Sequence, residues 1–598
     1  MRFMRLLRRK TTPSDTSGGP VRRIFDLTWS IPQEYGGLTK VMLRRSRNFV
    51  RLSGLDVDIL TLDYKLDVAE ARARLEAAGE MVDGMHLRNA WDEVSAFDRK
   101  ELRSLGGLRG VGGVPKAAAN WDSTVEKRYI EYTDAHGEIM RVDHLRGDGS
   151  VYLADDRSGP VRRLILVDEK GHYVAEFNRA RDFYFAWLDK AIGDGTAVLI
   201  NESKYIATFL HRYHRENVRL GQVLHNTHIE PRATNSHGPF TKSRLEILKN
   251  WHKFDFLIFL TEKQKQDFVE SFGDSPNLYV IPNSTSVDGT ESFGSDQRPA
   301  NQGVVVARLT GQKRVDHAIS AVGRVDSAVQ LDIVGDGDRR DELEKMVAAD
   351  PVLTDRVSFK GYVDNAAEEL KHYSFILLTS SFEGMGVVLI EAMAQGCVPI
   401  AYDVRYGPSD IVDDGVNGYL ASNVDGIAGA ITKLIGLSPS EITAMRNEAA
   451  VKARTFSDES VTERWMDLLG DVTRPRRRPT TAVRSTVVAS DVSVDGEHLR
   501  IRLKPVGELT NAHDARIVLS ARDSLYSFSS PIGDLCSFPI GDIVKLPKGA
   551  ILDAWLQHWD GSGIARHRVA CSSAAVDVVY GRIRPYRTVK GNLSIKIV

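Results

Sequence analysis

The segment SSFEGMGVVLIEAMAQGCVPIAY carries two carboxylates, Glu383 and Glu391, around a helix opened by glycines. Glu383 leaves the apolar strand FILLTSS, Gly384 and Gly386 begin the helix, and Glu391 follows roughly two turns later. Glycines at a helix start let backbone N–H groups approach a ligand, and the helix dipole favours a phosphate there. Carboxylates flanking such a start suit a sugar nucleotide, because they accept hydrogen bonds from sugar and ribose hydroxyls. A purely structural reading makes them a first-turn acid and a solvated helix glutamate. For Glu391 the neighbours VVLIEAMA speak against that, since an unpaired carboxylate among apolar side chains is costly.

A second cluster, ARLTGQKRVDHAI, ends an apolar strand with Arg308 and places Lys313 at the start of the next helix. Two cations beside free helix N–H groups are what a departing diphosphate needs as negative charge develops. Gly36 and Gly37 form a turn between the first strand and its helix, where the main chain can pass close to donor phosphates or acceptor. Lys40 follows in the first helical turn and is a candidate anion contact. In VLHNTHI, His225 and His228 follow another strand. Their spacing invites a zinc reading, but no cysteine or third ligand accompanies them, and contact with a donor sugar or acceptor hydroxyl fits better. Asp56-Val57-Asp58 and Asp336-Gly337-Asp338 read as a strand start and a turn, so no metal site is expected. Neither a nucleoside-triphosphatase loop nor the pattern GxGxxG occurs; LGGLRGVGGVP fits neither.

These residues need strands and helices to hold them. VRRIFDLTWSIPQEYGGLTKVMLRRSRNFVRL reads as strand, glycine loop and helix, and RLSGLDVDILTLDY adds a second strand. Short alternating runs punctuated by Asp148-Gly149 and Lys170-Gly171 then read as antiparallel hairpins. The α/β alternation resumes at GTAVLINES and starts again at QGVVVARLTGQK. The expected order is a basic, disordered tail over 1–20 and a first Rossmann-like domain made of 21–69 and 195–290. An antiparallel β-rich insertion fills 70–194, a second Rossmann-like domain spans 291–470, and a proline- and charge-rich linker covers 471–481. Residues 482–598 alternate like a small β-sandwich. Ligands of two such tandem α/β domains bind between the carboxyl ends of their strands.

With 598 residues, the chain exceeds what one hydrophobic core supports. Its 79 Lys and Arg against 80 Asp and Glu give no whole-molecule attraction to a polyanion, so nucleic acid is not an expected partner. Three widely spaced cysteines, Cys397, Cys536 and Cys571, suggest a reducing compartment and a cytoplasmic protein. The start MRFMRLLRRK is either a disordered tail or a short amphipathic segment on anionic lipid, which would bring the protein to the inner face of the plasma membrane.

Taken together, the residues resemble those of the retaining GT-B glycosyltransferases. Glu383 and Glu391 match the Glu-x7-Glu signature of that group, Arg308 and Lys313 its diphosphate-binding pair, and Gly36 and Gly37 its glycine loop. IPNS at 281–284 and GDGDRRDELE at 335–344 sit where the group has its interdomain link and Gly-Asp-Gly turn. The insertion, HNTHI and LTEKQKQDF narrow the resemblance to bacterial teichoic-acid α-glycosyltransferases, which decorate poly(glycerol phosphate) or poly(ribitol phosphate). A sister branch glycosylates serine-rich adhesins.

The resemblance implies a UDP-sugar donor (glucose or N-acetylglucosamine), a polyol-phosphate acceptor, and no metal or other cofactor. Glu391 would bind the ribose, and Glu383 with the amides of Gly384, Met385 and Gly386 the donor sugar. Arg308 and Lys313 would stabilise leaving UDP, while His225 and His228 would line the reaction centre. Met385 departs from the commoner Phe of Glu-Gly-Phe-Gly. Protein O-glycosylation is the alternative activity, and an inactive carbohydrate-binding protein ranks last because the charged positions are intact. The insertion and the module after 481 are expected to select the acceptor, with Arg582, Arg584, Arg587, Lys590 and Lys596 tracking its charges, or else to oligomerise the protein.

Overall fold

The computed structural model describes residues 23–108, 114–287, 293, 298–363, 366–473, 486–506, 515–523, 526–559, 564–572, 576 and 578–598. The 1–20 tail and most of the 471–481 linker lie outside them.

The first strand, Arg23–Thr28, is buried from Ile24 onward. An exposed turn leads from it into helix α1, Gly37–Ser53, which stops at Gly54 in the left-handed conformation (φ 66°). Seven parallel strands form the first sheet. Their order runs Leu278–Val280, Phe256–Phe259, Val218–Leu224, Ala197–Asn201, Arg23–Thr28, Asp56–Thr61 and Met85–Asn89. Chain order reverses between Ala197–Asn201 and Arg23–Thr28, which is where an open parallel sheet leaves a crevice beyond its strand ends. Helix α2, Glu262–Phe272, packs against Phe256–Phe259 and Leu278–Val280 at one end of the same sheet.

The second sheet has six parallel strands, ordered Val357–Gly361, Gln330–Val334, Gln302–Val306, Phe375–Leu378, Val398–Tyr402 and Tyr419–Ala421. Here the reversal falls between Gln302–Val306 and Phe375–Leu378. Helices α3, Val315–Gly323, and α4, Val387–Ala394, follow those two strands. The reversal point of the second sheet therefore carries both charged clusters, Arg308 and Lys313 after Gln302–Val306 and Glu383 and Glu391 after Phe375–Leu378, while Gly36 and Gly37 follow the strand at the reversal point of the first.

Two boundaries differ from the expectation. Met85–Asn89 was assigned to the 70–194 insertion, but it pairs in parallel with Asp56–Thr61 and closes the edge of the first sheet. Only alternate residues of this edge strand are buried, so its apolar signal is half that of the central strands. The antiparallel sheet of the insertion runs from Asp122–Val125 to Tyr173–Phe177, with Gly149 (φ 84°) and Gly171 (φ 75°) in its hairpin turns. The second difference is helix α5, Asp458–Val472, expected within the 291–470 domain. It crosses back to α1, with Trp465 edge-on to Phe49 at 5.9 Å and Asp458 accepting from Asn48 (2.7 Å) and Arg44 (3.2 Å). The apolar stripe Val461, Trp465, Leu468 and Leu469 shows that α5 must pack, but not on which domain.

After residue 486 a four-stranded and a six-stranded sheet share one core that includes Ile501, Ile517, Phe528, Leu556 and Ile595. This module docks on α2: Ser527 Oγ donates to Ser271 O (2.8 Å), Ser529 Oγ to Glu270 O (2.8 Å) and Gln557 Nε2 to Phe272 O (2.7 Å). Among the described residues, no helix is long and apolar enough to cross a membrane.

Candidate active site

Lys313 and Glu383 come together at the reversal point of the second sheet, Nζ donating to Oε1 at 2.6 Å. The loops that carry them are joined along their length. Ser381 N donates to Gln312 O (2.8 Å), Gln312 Nε2 to Phe382 O (3.0 Å), and the Arg314 guanidinium to Thr379 O (2.9 Å) and Ser380 O (2.6 Å). Arg314, which the sequence reading passed over, adopts φ 44° at the start of α3. Arg308 lies on the same edge, exposed, and none of the described hydrogen bonds or ion pairs engages its guanidinium.

Gly386 (φ 85°) starts α4, which has neither a side-chain cap nor an acidic residue in its first turn. The start of α1 at Gly36 is likewise uncapped and free of acids. Each helix thus leaves N–H groups available to an anion. No protein atom lies within 4 Å of a Cβ built at Gly36 or Gly37, so both glycines border open space. Glu391 is half-buried on α4. Burial raises its carboxyl above the ordinary value, and Arg44 and Lys40 of α1 act in the opposite direction. Glu391 and Lys40 therefore face each other from the two domains.

Gly384 meets the first domain directly: a Cβ there would overlap the His225 carbonyl oxygen and sit 3.1 Å from its carbon. His225, at the end of Val218–Leu224, is anchored in turn. Its Nε2 meets the carboxylate of Glu202, a fully buried residue just past Ala197–Asn201. Arg45 of α1 donates to Glu202 (2.5 Å) and to Asp26 (2.6 Å), and Ser46 donates to Asp26 (2.6 Å). Burial works to raise Glu202, but Arg45 and His225 outweigh it and hold it at about 2. Burial raises Asp26, with Arg45 opposing and Glu202 adding to the rise. Glu202 is therefore an anion at neutral pH, and the imidazole Nε2–H must be the donor. Asp26, Arg45 and Glu202 were not singled out from the sequence.

One further placement differs from the expectation. His228 was expected to contact donor or acceptor, but it is fully buried, stacked on Tyr406 (ring centroids 5.9 Å, interplanar 8°) and near Phe240 (6.3 Å). Burial, then the charges of Arg405 and Arg244, push its imidazole down to about 3. Its role is packing beneath the loop after Val398–Tyr402. That loop holds Glu383 through two backbone bonds, Glu383 N to Arg405 O (3.0 Å) and Tyr406 N to Glu383 O (2.9 Å). Asp267 of α2 grips the same loop through Arg405 (3.0 Å) and the Tyr406 hydroxyl (2.8 Å). Met385 was expected to offer its amide to the donor sugar, in place of the commoner Phe. Its side chain is buried, its Sδ accepting from Asn283 N (3.3 Å) in the interdomain link, which leaves only its backbone at the cleft. Among the described residues, no group of three or more His, Cys, Asp or Glu could hold a metal ion.

Two parallel α/β domains whose reversal points meet across one cleft, with cations and uncapped helix starts on its walls, form the GT-B fold. Residues 300–436, which include Arg308, Lys313, Glu383 and Glu391, match the family model described as Glycosyl transferases group 1.

More particularly, the chain is similar to polyol-phosphate glycosyltransferases. The poly(ribitol-phosphate) alpha-N-acetylglucosaminyltransferase of Staphylococcus aureus (strain COL) is 25% identical over 512 residues, covering 75% of this chain and 99% of that protein. The poly(glycerol-phosphate) alpha-glucosyltransferase of Bacillus subtilis (strain 168) is 22% identical over 515 residues, covering 76% of this chain and 75% of that protein. The crystal structure of a S. aureus TarM mutant with fondaparinux, alpha-GlcNAc-glycerol and UDP superposes with a TM-score of 0.55 at 22% identity, covering 75% of this chain and 100% of that one.

Proposed function

We propose that this chain transfers glucose or N-acetylglucosamine, with retention of the α configuration, from a UDP-sugar to a hydroxyl of a polyol-phosphate chain. The observation that carries this reading is the approach of Gly384 to the His225 carbonyl, which sets the Lys313–Glu383 pair and the His225–Glu202 pair on opposite walls of one cleft. The named activities of the S. aureus and B. subtilis relatives support the donor and acceptor classes.

In this mechanism Glu391 accepts from the ribose hydroxyls, close to Lys40 and Arg44. The diphosphate lies between the starts of α1 and α4, where Gly36 and Gly37 leave room and Arg308 and Lys313 supply positive charge. Lys313 is held by Glu383 until the diphosphate shares it. Glu383 and the amides of Gly384, Met385 and Gly386 orient the sugar. As the bond from sugar to phosphate lengthens, negative charge grows on the leaving phosphate oxygen, where the two cations stabilise it. That oxygen takes the acceptor proton on the same face, so no protein nucleophile is required. His225 borders the reaction centre, its ring fixed by ionised Glu202. Cationic side chains do the work that a divalent ion would otherwise do, so transfer should survive EDTA.

The exposed edge strand Asp122–Val125 is the surface proposed for self-association, and the basic start Met1–Lys10 the one for peripheral contact with an anionic membrane. The test is a screen of purified protein with UDP-glucose and UDP-N-acetylglucosamine against glycerol-phosphate oligomers, ribitol-phosphate oligomers and serine-rich peptides, with and without EDTA. Transfer to a polyol phosphate in chelator is the expected result. Transfer to peptides alone would assign the protein-glycosylation activity instead, and a rate restored only by magnesium or manganese would overturn the diphosphate site.

A further inference from the structure

Where the β module docks on the first domain, the two line an open-mouthed cavity of about 240 Å³, with Leu248, Lys249 and Phe272 on one side and Arg522, Tyr526, Trp555 and Arg566 on the other. Trp555 carries two guanidiniums, Arg566 at 5.2 Å and Arg568 at 5.1 Å from its ring centroid. Their surroundings differ sharply. Arg568 is bonded to Leu593 O (2.9 Å) and Ser594 Oγ (2.9 Å) and paired with Asp553 (3.1 Å). Arg566 Nε and Nη2 are buried and have no hydrogen-bond partner.

The other charges do not relieve it. Asp553, the carboxylate on the cavity wall, is taken by Arg522 (3.2 Å), Arg568 and the Ser594 hydroxyl (2.6 Å), and Lys249 by Glu246 (3.1 Å). The nearby His252 imidazole is pushed down to about 3 by burial and then by Arg566 itself, so it stays neutral and leaves Arg566 without a charged partner. A guanidinium buried without an anion is an unmet demand, and its planar fork matches phosphate oxygens. Leu248, Phe272, Ala521 and Tyr526 give the remaining wall an apolar character suited to a carbon backbone. The volume is below the roughly 300–1,000 Å³ typical of sites for larger ligands and suits one small repeat.

We propose that this cavity is an anchoring site for one phosphodiester-linked polyol unit of the acceptor, with Arg566 on the phosphate and Lys249 and Arg522 at the mouth. The proposal rests on the acceptor class given above and locates its recognition outside the catalytic cleft. Helix α2 connects the two places: Asp267 grips the loop that holds Glu383, while Glu270, Ser271 and Phe272 carry the module. Asp267 and Phe272 are about 7.5 Å apart along the helix axis. A chain held in the cavity would keep its neighbouring units near the transfer site. The strand cations expected to track the acceptor are placed less well: Arg584 and Lys596 stand opposite each other on a solvent face, and Arg582 is bonded to Val544 O (2.5 Å) and Leu546 O (3.2 Å).

The test uses the full chain with Arg566→Gln, and Arg522→Gln as a second variant at the exposed mouth. Titration calorimetry with a long glycerol-phosphate oligomer should show binding weakened about tenfold by Arg566→Gln and less by Arg522→Gln. KM for the long oligomer should rise by a similar factor. The kcat, the KM for a single-unit acceptor and the slow release of UDP without acceptor should not change. Unaltered binding and unaltered KM for the long oligomer in both variants would overturn the proposal, as would an equal rise in KM for the single-unit acceptor. Oligomer binding lost in Arg566→Gln, together with a wild-type protein that glycosylates no polyol phosphate, would keep the site and sink the proposed function instead.

Discussion

Gly384→Ala isolates the contact on which the cleft depends. Gly384 needs no left-handed backbone, so alanine introduces no strain of its own and the effect is steric. The new methyl would overlap the His225 carbonyl oxygen, with the carbonyl carbon at 3.1 Å and Asn226 Cα at 3.5 Å. All three atoms are backbone, so no side chain can turn away. Restoring ordinary contacts of about 3.5–4.0 Å requires the Glu383 loop and the His225 loop to part by about 1.5–2 Å. Overpacking of this kind costs about 1–3 kcal/mol, which a chain of this size survives. Its effect on chemistry is larger, because a misplacement of about 1 Å typically costs about a hundredfold. The expected outcome is a fall of about two orders of magnitude in kcat/KM with a melting temperature lowered by a few degrees. Gly36→Ala is the companion: no protein atom lies near its Cβ, so any loss of UDP affinity there reports the ligand rather than packing. Wild-type kinetics in Gly384→Ala would show that the two walls do not meet at this point in the working enzyme, and the reasoning would fail.

Lys313→Ala should lower kcat by about a hundredfold to a thousandfold, the loss of about 2.7–4 kcal/mol typical of one transition-state charge partner, with an unchanged fold by circular dichroism; undiminished turnover would remove Lys313 from the leaving-group site. Arg45→Met leaves Asp26 and Glu202 buried beside each other without their shared cation, and chemical denaturation should show about 3–5 kcal/mol lost; a loss below about 1 kcal/mol would mean the network is not what holds His225. Acid stability follows from His228, whose folded value of about 3 lies below its ordinary 6.5. The unfolded chain therefore takes up the proton first, so this contribution is complete above about pH 6.5 and is lost as the pH falls toward 3. His144, also pushed by burial to about 3, acts with the same sign. Melting temperatures between about pH 8 and 5 should fall less steeply in His228→Asn than in the wild type, and parallel curves would contradict the assignment.

Much of the candidate cleft was legible in the sequence because the residues that line it stand at the ends of apolar strands, where a charge has a reason to be. Glu383 after FILLTSS, Arg308 after GVVVA and His225 after GQVL all obey that rule, and two runs of alternating strand and helix gave the paired α/β frame. Asp26, Arg45 and Glu202 escaped notice because burial alone makes them unusual, and they meet only once two strands and a helix are assembled. The available signal was the one used for Glu391: Asp26 interrupts the apolar strand RIFDLT, where a lone carboxylate would be costly. His228 misled for the opposite reason, since its spacing from His225 suggested a shared role while its neighbours Phe240 and Tyr406 lie far away in sequence. The docking of α5 and of the β module was invisible because an apolar face states that it must be covered, not by what.

The proposed mechanism turns on retaining transfer from a UDP-sugar. The most direct measurement is the anomeric proton coupling, by nuclear magnetic resonance, of the glycosylated polyol-phosphate oligomer made by the wild-type protein. An α-linked product formed together with one equivalent of UDP is expected; a β-linked product, or sugar transfer without UDP release, would contradict the proposed mechanism.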